Sequence, residues 1–221
     1  MGQELSFVTA LHTRSKRDYV GRVTQADKAE CAEKAKQWGY DYWDGDRKYG
    51  YGGYKYDGRW AVVAEKMIRQ YGLKDDARIL DVGCGKGFLL HEFQKLLPKA
   101  TLQGVDISRY AIEHAKEEVK PFLKEGNATK LDFPDKSFDL VLTITTLHNL
   151  YIYDLARALA EIQRVTRKHG YICVESYRNE REKANLLYWQ LTCESFFTPK
   201  EWTWLFDHFG YKGDYEFIYF E

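Results

Sequence analysis

Long apolar runs are missing. No stretch approaches the ~18 consecutive apolar residues of a membrane-spanning helix, and the opening MGQELSFVTALHTRSKRDYV has neither the basic start nor the long apolar centre of a signal peptide. Cysteine is scarce: Cys31, Cys84, Cys173 and Cys193 form no C-x-x-C pair, which excludes a secreted disulfide scaffold and makes a reducing cytoplasm the expected location. The six histidines contain no H-x-x-x-H pair and no Cys/His cluster stands anywhere, so no metal site is expected. An excess of either charge is also absent. With Lys plus Arg equal to Asp plus Glu at 33 each, the basic footprint of a nucleic-acid or anionic-membrane binder is lacking.

What is present is a foldable chain. Hydrophobic residues make up 44% and aromatics 16%, which rules out general disorder, and 221 residues suffice for one well-buried α/β domain with an appendage. From residue 78 onward β-branched runs alternate with helical patterns, the mark of βαβ units feeding a parallel sheet. RILDV (78–82) reads as the first strand and FLLHEFQKLL as the helix after it. TLQGVDI is the second strand, and Ser108 caps a predicted helix RYAIEHAKEEV over 109–119. A weak third strand lies near FLKEGNA, FDLVLTI is the fourth and GYICVESY the fifth, after an amphipathic helix over 154–167. Thr198 and Glu201 form a capping box with Pro199 at the first helical position, opening TPKEWTWLFDHFGY. GDYEFIYFE supplies one last strand, so six or seven strands are expected in a mostly parallel, three-layer sheet.

Two segments lie outside this rhythm. Residues 1–60 carry a predicted helix over 27–38 and the aromatic stretch DYWDGDRKYGYGGYKYDGRW (41–60); residues 178–197, RNEREKANLLYWQLTCESFF, hold a second aromatic group. In the first stretch four basic residues are balanced by four aspartates, which disfavours a flexible nucleic-acid-binding linker.

The most informative local feature is ILDVGCGKG, a strand running into Gly83, Gly85 and Gly87 and then into a helix. Glycines there let the backbone turn tightly and let a ligand approach where a Cβ would block it. A dinucleotide fingerprint starting at Gly83 would need glycine at the position of Phe88, and a P-loop would need Ser or Thr where Gly87 follows Lys86. Nineteen residues after Gly87, Asp106 ends the second strand beside the turn, where a carboxylate can accept both hydroxyls of a ribose. In an open α/β sheet ligands sit beyond the carboxyl ends of the strands, which directs attention to Thr145, Thr146, His148 and Asn149 and to Glu175 and Tyr177.

DVGCGKG, then GVDIS, then GNATKLDFPDKSFDLVLTITTLHNL resemble the ordered motifs of class I S-adenosylmethionine-dependent methyltransferases over roughly residues 60–177. The resemblance implies a Rossmann-like methyltransferase domain over 61–221, S-adenosylmethionine as cofactor, and an N-terminal aromatic lid over 1–60. It places Asp81, Gly83 and Gly85 at the methionine part of the cofactor, Asp106 on the ribose, Ile107 on the adenine face and Asn127 with Ala128 at the adenine edge; family members commonly carry Asp where Asn127 stands. Thr145 joins the cofactor set, with Tyr56 and Arg59 contributed by the lid and Arg59 able to pair with the cofactor carboxylate.

For a hydroxyl acceptor a proton must be removed during methyl transfer, and His148 or Glu175 could take it. Tyr54, Asn149, Tyr177 and Trp189 are the candidate acceptor contacts, with 178–197 as a possible second lid over the acceptor. The aromatic stretch and ESYRNEREKANLLYW also resemble bacterial methyltransferases of surface-polysaccharide pathways, which implies an oxygen on a sugar- or phosphate-bearing metabolite as acceptor. The expected partner is a small-molecule acceptor, with no nucleic acid or membrane, and the protein is expected to be a monomer or homodimer. Two alternatives remain open: a cofactor-binding scaffold without chemistry of its own, and N-methylation of a small molecule or macromolecule.

Overall fold

The computed structural model describes residues 2–13 and 17–221. Among these, six strands form one sheet in the order β3-β2-β1-β4-β5-β6: β1 Arg78–Val82, β2 Thr101–Asp106, β3 Leu123–Glu125, β4 Phe138–Ile144, β5 Thr166–Glu175 and β6 Asp214–Ile218. Every pairing is parallel, so each connection must cross over one face of the sheet, and both faces are covered. Alternation sorts the side chains. Ile79, Leu140 and Cys173 enter one core with Val63 and Met67 of α5 (Ala61–Tyr71) and Leu90 and Phe93 of α6 (Phe88–Leu96). Leu80, Val141 and Ile172 enter the other with Leu159 and Ile162 of α8 (Ile152–Val165) and Trp202 and Phe206 of α10 (Pro199–His208). These are the three layers expected. Among the described residues, no helix is long and apolar enough to cross a membrane.

Most local signals are realised where expected. The Ser108 hydroxyl accepts from the Ala111 N–H at the start of α7 (Arg109–Glu113), and Thr198 with Glu201 forms the complete capping box of α10. The helix predicted over 109–119, however, stops after five residues. Ala115 and Val119 are buried in the first core from a non-helical stretch, and a 3-10 turn over Lys120–Phe122 carries Pro121 into β3, so tertiary packing overrides helix propensity here.

The N-terminal segment contains α1 (Thr9–His12), α2 (Tyr19–Thr24), α3 (Lys28–Ala35) and α4 (Tyr40–Trp43). It shares the main core, because Phe7 and Val8 pack with Tyr71 and Tyr171. The buried Glu216 of β6 fixes the attachment. Its carboxylate accepts from the backbone N–H groups of Phe7 (2.6 Å), Val8 (2.9 Å) and Thr9 (2.6 Å), from the Thr9 hydroxyl (2.7 Å) and from the Tyr171 hydroxyl. Truncation to alanine strands these donors in a dry site, so Glu216→Ala is expected to cost about 3–5 kcal/mol. It should also release the N-terminal segment to limited proteolysis at temperatures where the wild type resists; an unchanged digestion pattern would show that the clamp does not hold the segment.

Candidate functional site

β1 pairs with β2 on one side and β4 on the other, so chain direction across the sheet reverses at β1 and the strand ends separate there. A cavity of about 290 Å³ opens at this point, bordered by Gly83 after β1, Asp106 and Ile107 at the end of β2, Asn127 and Ala128 after β3, and Thr145 after β4. Five residues that border it, Tyr42, Tyr51, Ile144, Thr145 and Asn149, also border a second cavity of about 490 Å³, so the two share a wall. Both lie near or within the range of ligand clefts, ~300–1,000 Å³.

The glycine turn is built tightly. Gly83 has φ +83°, and a Cβ there would lie 2.0 Å from Thr146 Oγ1, so only glycine fits between the ends of β1 and β4. Asp106 is buried; one carboxylate oxygen accepts from the Gly85 N–H at 2.7 Å and the other from the Ser108 N–H at 2.8 Å. Each oxygen therefore keeps a lone pair at the edge of the smaller cavity, where a vicinal diol would supply the missing donors. Burial raises the Asp106 carboxyl above its ordinary value, and donors from a ligand would lower it again. Ile107, 54% exposed at this edge, offers an open apolar face. The residues present thus fit a nucleoside, with Asp106 for the ribose and Ile107, Asn127 and Ala128 around the base.

Aromatic residues of the 41–60 stretch cover the turn. The buried Trp43 ring lies against Gly85, where a Cβ would meet it at 2.7 Å, and its indole N–H donates to Ser108 Oγ at 2.8 Å. Tyr51 stacks on Trp43 with centroids 5.3 Å apart, and Tyr54 stacks on Phe88 at 4.9 Å. Lys86, in the turn, pairs with Asp44 at 2.6 Å and donates to the Tyr54 carbonyl at 3.0 Å. An ion pair and a ring stack therefore tie this segment to the motif beneath it.

On the shared wall, Thr145 adopts φ +52°, a left-handed conformation that is costly for a β-branched residue and is held by its N–H donating to the Cys173 carbonyl at 2.9 Å. The chain then turns through a 3-10 segment, Leu147–Asn149, which buries His148. His148 Nδ1 accepts from the Glu175 N–H at 3.3 Å, so the ring proton sits on Nε2, 3.4 Å from Glu175 Oε2. Burial depresses the imidazole to about 3 and pushes the Glu175 carboxyl up to about 8, so near neutrality the pair is held largely uncharged. Gln190 donates to Glu175 Oε1, while the buried Oε2 has no hydrogen-bond partner. The turn is clamped by the segment after α9 (Glu180–Trp189): the N–H groups of Glu194 and Ser195 both donate to the His148 carbonyl, and Thr192 donates to Asn149 Oδ1.

The structure brings Gly83, Asp106, Ile107, Asn127, Ala128 and Thr145 to the smaller cavity, and Tyr54, Arg59, His148, Asn149, Glu175 and Trp189 to the larger. Four other sequence candidates border neither. Tyr56 donates to Glu92 at 2.5 Å and packs edge-on to His91. Tyr177 is buried in the first core with the Lys183 ammonium over its ring. Gly85 lies under Trp43, and Asp81 is buried within β1, its carboxyl pushed up to about 8 by burial and then by Asp106. Arg59 reaches the larger cavity already paired with Asp57 at 2.6 Å. Arg178, close to Glu175 in sequence, pairs with Glu182 and Glu221 and not with Glu175. Sequence reasoning missed Gln190, which anchors Glu175, and Lys86 with Asp44. The lysine was visible in the motif, but nothing local marked its partner.

Comparison with known proteins agrees with this architecture. An uncharacterized methyltransferase of Schizosaccharomyces pombe is 36% identical over 113 residues, covering 46% of this chain and 40% of the yeast protein. The demethylmenaquinone methyltransferase of Symbiobacterium thermophilum is 34% identical over 128 residues, covering 54% and 50%. The chain thus spans half or less of the length of these curated relatives. A crystal structure of a SAM-dependent methyltransferase from Aquifex aeolicus superposes with a TM-score of 0.52 at 19% identity, covering 88% of this chain and 89% of that one, which is a likeness of fold. A family model described as a methyltransferase domain matches residues 73–210. With more than half of its length matched, and with the glycine turn, Asp106 and the reversed sheet in place, the chain belongs to the methyltransferase domain family of class I, S-adenosylmethionine-dependent enzymes.

Proposed function

We propose that this protein methylates an oxygen of a small polar acceptor held in the larger cavity, with Glu175 taking the acceptor's proton. The observation that carries the proposal is the buried Glu175 Oε2 without a hydrogen-bond partner, on a residue that borders the larger cavity. Bound S-adenosylmethionine supplies an electrophilic methyl group on a sulfonium. Asp106 would hold its ribose hydroxyls, and Ile107, Asn127 and Ala128 its adenine. The acceptor hydroxyl would donate to Glu175 Oε2, and the carboxylate would take that proton as the methyl passes from the cofactor sulfur to the oxygen, leaving S-adenosylhomocysteine. His148 is a positioning residue in this scheme, since its Nδ1 is occupied by the Glu175 N–H and its Nε2 proton points at the same carboxyl. Tyr54 and Trp189 enclose the acceptor, and the 41–60 and 178–197 segments exclude water as lids over a domain that extends from residue 61.

The finer assignment follows the sequence: a sugar- or phosphate-bearing metabolite as acceptor, handled in the cytoplasm by a monomer or homodimer. The test is to incubate the whole chain with labelled cofactor and hydroxylated metabolites and to follow S-adenosylhomocysteine. Product with a hydroxylated acceptor is expected; product only with amines would make the enzyme an N-methyltransferase, and cofactor binding without product from any acceptor would make it a scaffold. His148→Ala should lower kcat by about 10- to 100-fold. It should also move the pH midpoint of kcat downward, because water admitted beside Glu175 relieves the burial that holds its carboxyl up. A midpoint that stays in place would remove His148 from the positioning role.

A further inference from the structure

The larger cavity is electrically one-sided although the whole chain is neutral. Arg17, Arg22, Arg47, Lys55 and Arg59 border it, against the carboxyls of Asp57 and Glu175. Asp57 is spent on Arg59, and Glu175 is buried with His148 and Gln190. Three of the remaining cations, Arg17, Arg22 and Arg47, converge on one ring. The guanidinium carbons of Arg22 and Arg47 each lie 5.2 Å from the centroid of Trp189, and that of Arg17 lies 5.4 Å from it.

Among the described residues, neither Arg22 nor Arg47 forms an ion pair with any carboxylate. Arg22 donates to the carbonyls of Arg47 (2.6 Å) and Trp189 (3.4 Å), and Arg47 donates to the carbonyl of Gly50. A guanidinium carries five N–H donors, so most of this capacity is unused. Burial and the neighbouring Arg47 charge hold Arg22 below the usual arginine range, against a smaller opposing pull from Asp46, as expected where positive charge gathers with too little counter-charge. Like-charged groups brought together around one indole repel each other, and an anion seated between them removes that cost through charge-assisted, bidentate hydrogen bonds. The cluster is also close to the chemistry, because Gln190, the residue after Trp189, donates to Glu175.

We propose that the acceptor is an anion, and that its phosphate or carboxylate group is held by Arg22 and Arg47 against Trp189 while its hydroxyl reaches Glu175. This rests on the methyltransferase reading of the same site and adds the charge and the anchoring residues of the acceptor. Inorganic phosphate and acetate serve as probes, titrated against the whole chain at constant ionic strength and followed by thermal shift, with a parallel calorimetric titration of S-adenosylhomocysteine. The wild type should bind phosphate or acetate saturably, and the stronger of the two names the anionic group. Arg22→Gln and Arg47→Gln should each weaken that binding at least 10-fold and leave S-adenosylhomocysteine affinity unchanged, which also reports that the variants fold. Arg22→Lys, which keeps the charge but loses the fork, should fall between wild type and Arg22→Gln. Shifts that do not saturate, or that are equal in wild type and both glutamine variants, overturn the anion site. Failure of S-adenosylhomocysteine to bind the wild type overturns the cofactor reading instead, while the probe titrations still decide the anion site.

Discussion

Glu175→Gln should abolish measurable methyl transfer to a hydroxyl acceptor, lowering kcat by about 10²- to 10⁴-fold, the range for loss of a positioned base. The amide keeps the side chain's shape and leaves the smaller cavity untouched, so binding of S-adenosylhomocysteine should be unchanged. In the wild type, kcat should rise through a single ionisation near 8, where burial has moved the carboxyl. Stability should move the other way. The folded carboxyl holds its proton up to about 8 while the unfolded chain releases it at 4.5, so this group's contribution is fully present below pH 4.5 and is lost as pH rises toward 8. Glutamine removes that loss. At pH 8 the variant should therefore unfold at a higher temperature than the wild type, by a free energy on the order of a few kcal/mol. Asp81 loses its contribution over a similar window in both proteins, and His148 acts in the opposite sense, costing stability as pH falls from 6.5 to about 3. An active Glu175→Gln enzyme would transfer the proton-accepting role elsewhere.

Asp106→Ala should weaken S-adenosylhomocysteine binding by at least about 100-fold. Two hydrogen bonds from ribose hydroxyls to a buried carboxylate contribute ~1.5–3 kcal/mol each, and every ~1.4 kcal/mol is a factor of ten in affinity. The same substitution removes the acceptors of the Gly85 and Ser108 N–H groups, so the turn also loses rigidity. Calorimetry on the variant, with circular dichroism to confirm that it is folded, measures the effect. Affinity within threefold of wild type would place the ribose elsewhere.

How much of this was legible beforehand depends on the range of the interaction. RILDV and FDLVLTI declare themselves as strands because both faces are buried, and the caps at Ser108 and Thr198 join groups a few residues apart. The turn at Gly83 and its relation to Asp106 follow from the geometry of adjacent parallel strands. The helix over-extended to residue 119 shows the limit of that reading: the alanine and valine that suggested a helical face are buried from a different backbone path. The pairings that define the second cavity have no local trace. Arg22 with Trp189 joins residues 167 positions apart, and Glu175 with Gln190 joins a strand end to the chain after α9 through a 15-residue separation that no local pattern marks, so only folding specifies them. The aromatic stretch was recognisable as unlike a linker from its charge balance, but the contact of Trp43 with Gly85 required the structure.

The central claim is that the nucleoside end of S-adenosylmethionine lies in the smaller cavity and the acceptor in the larger. Photolabelling with an 8-azido analogue of S-adenosylmethionine, followed by peptide mapping, tests this most directly. The account predicts label on the peptides carrying Ile107 or Asn127 and Ala128, suppressed by excess S-adenosylhomocysteine. Suppressible label confined to peptides carrying Arg22, Arg47 or Trp189 would contradict it.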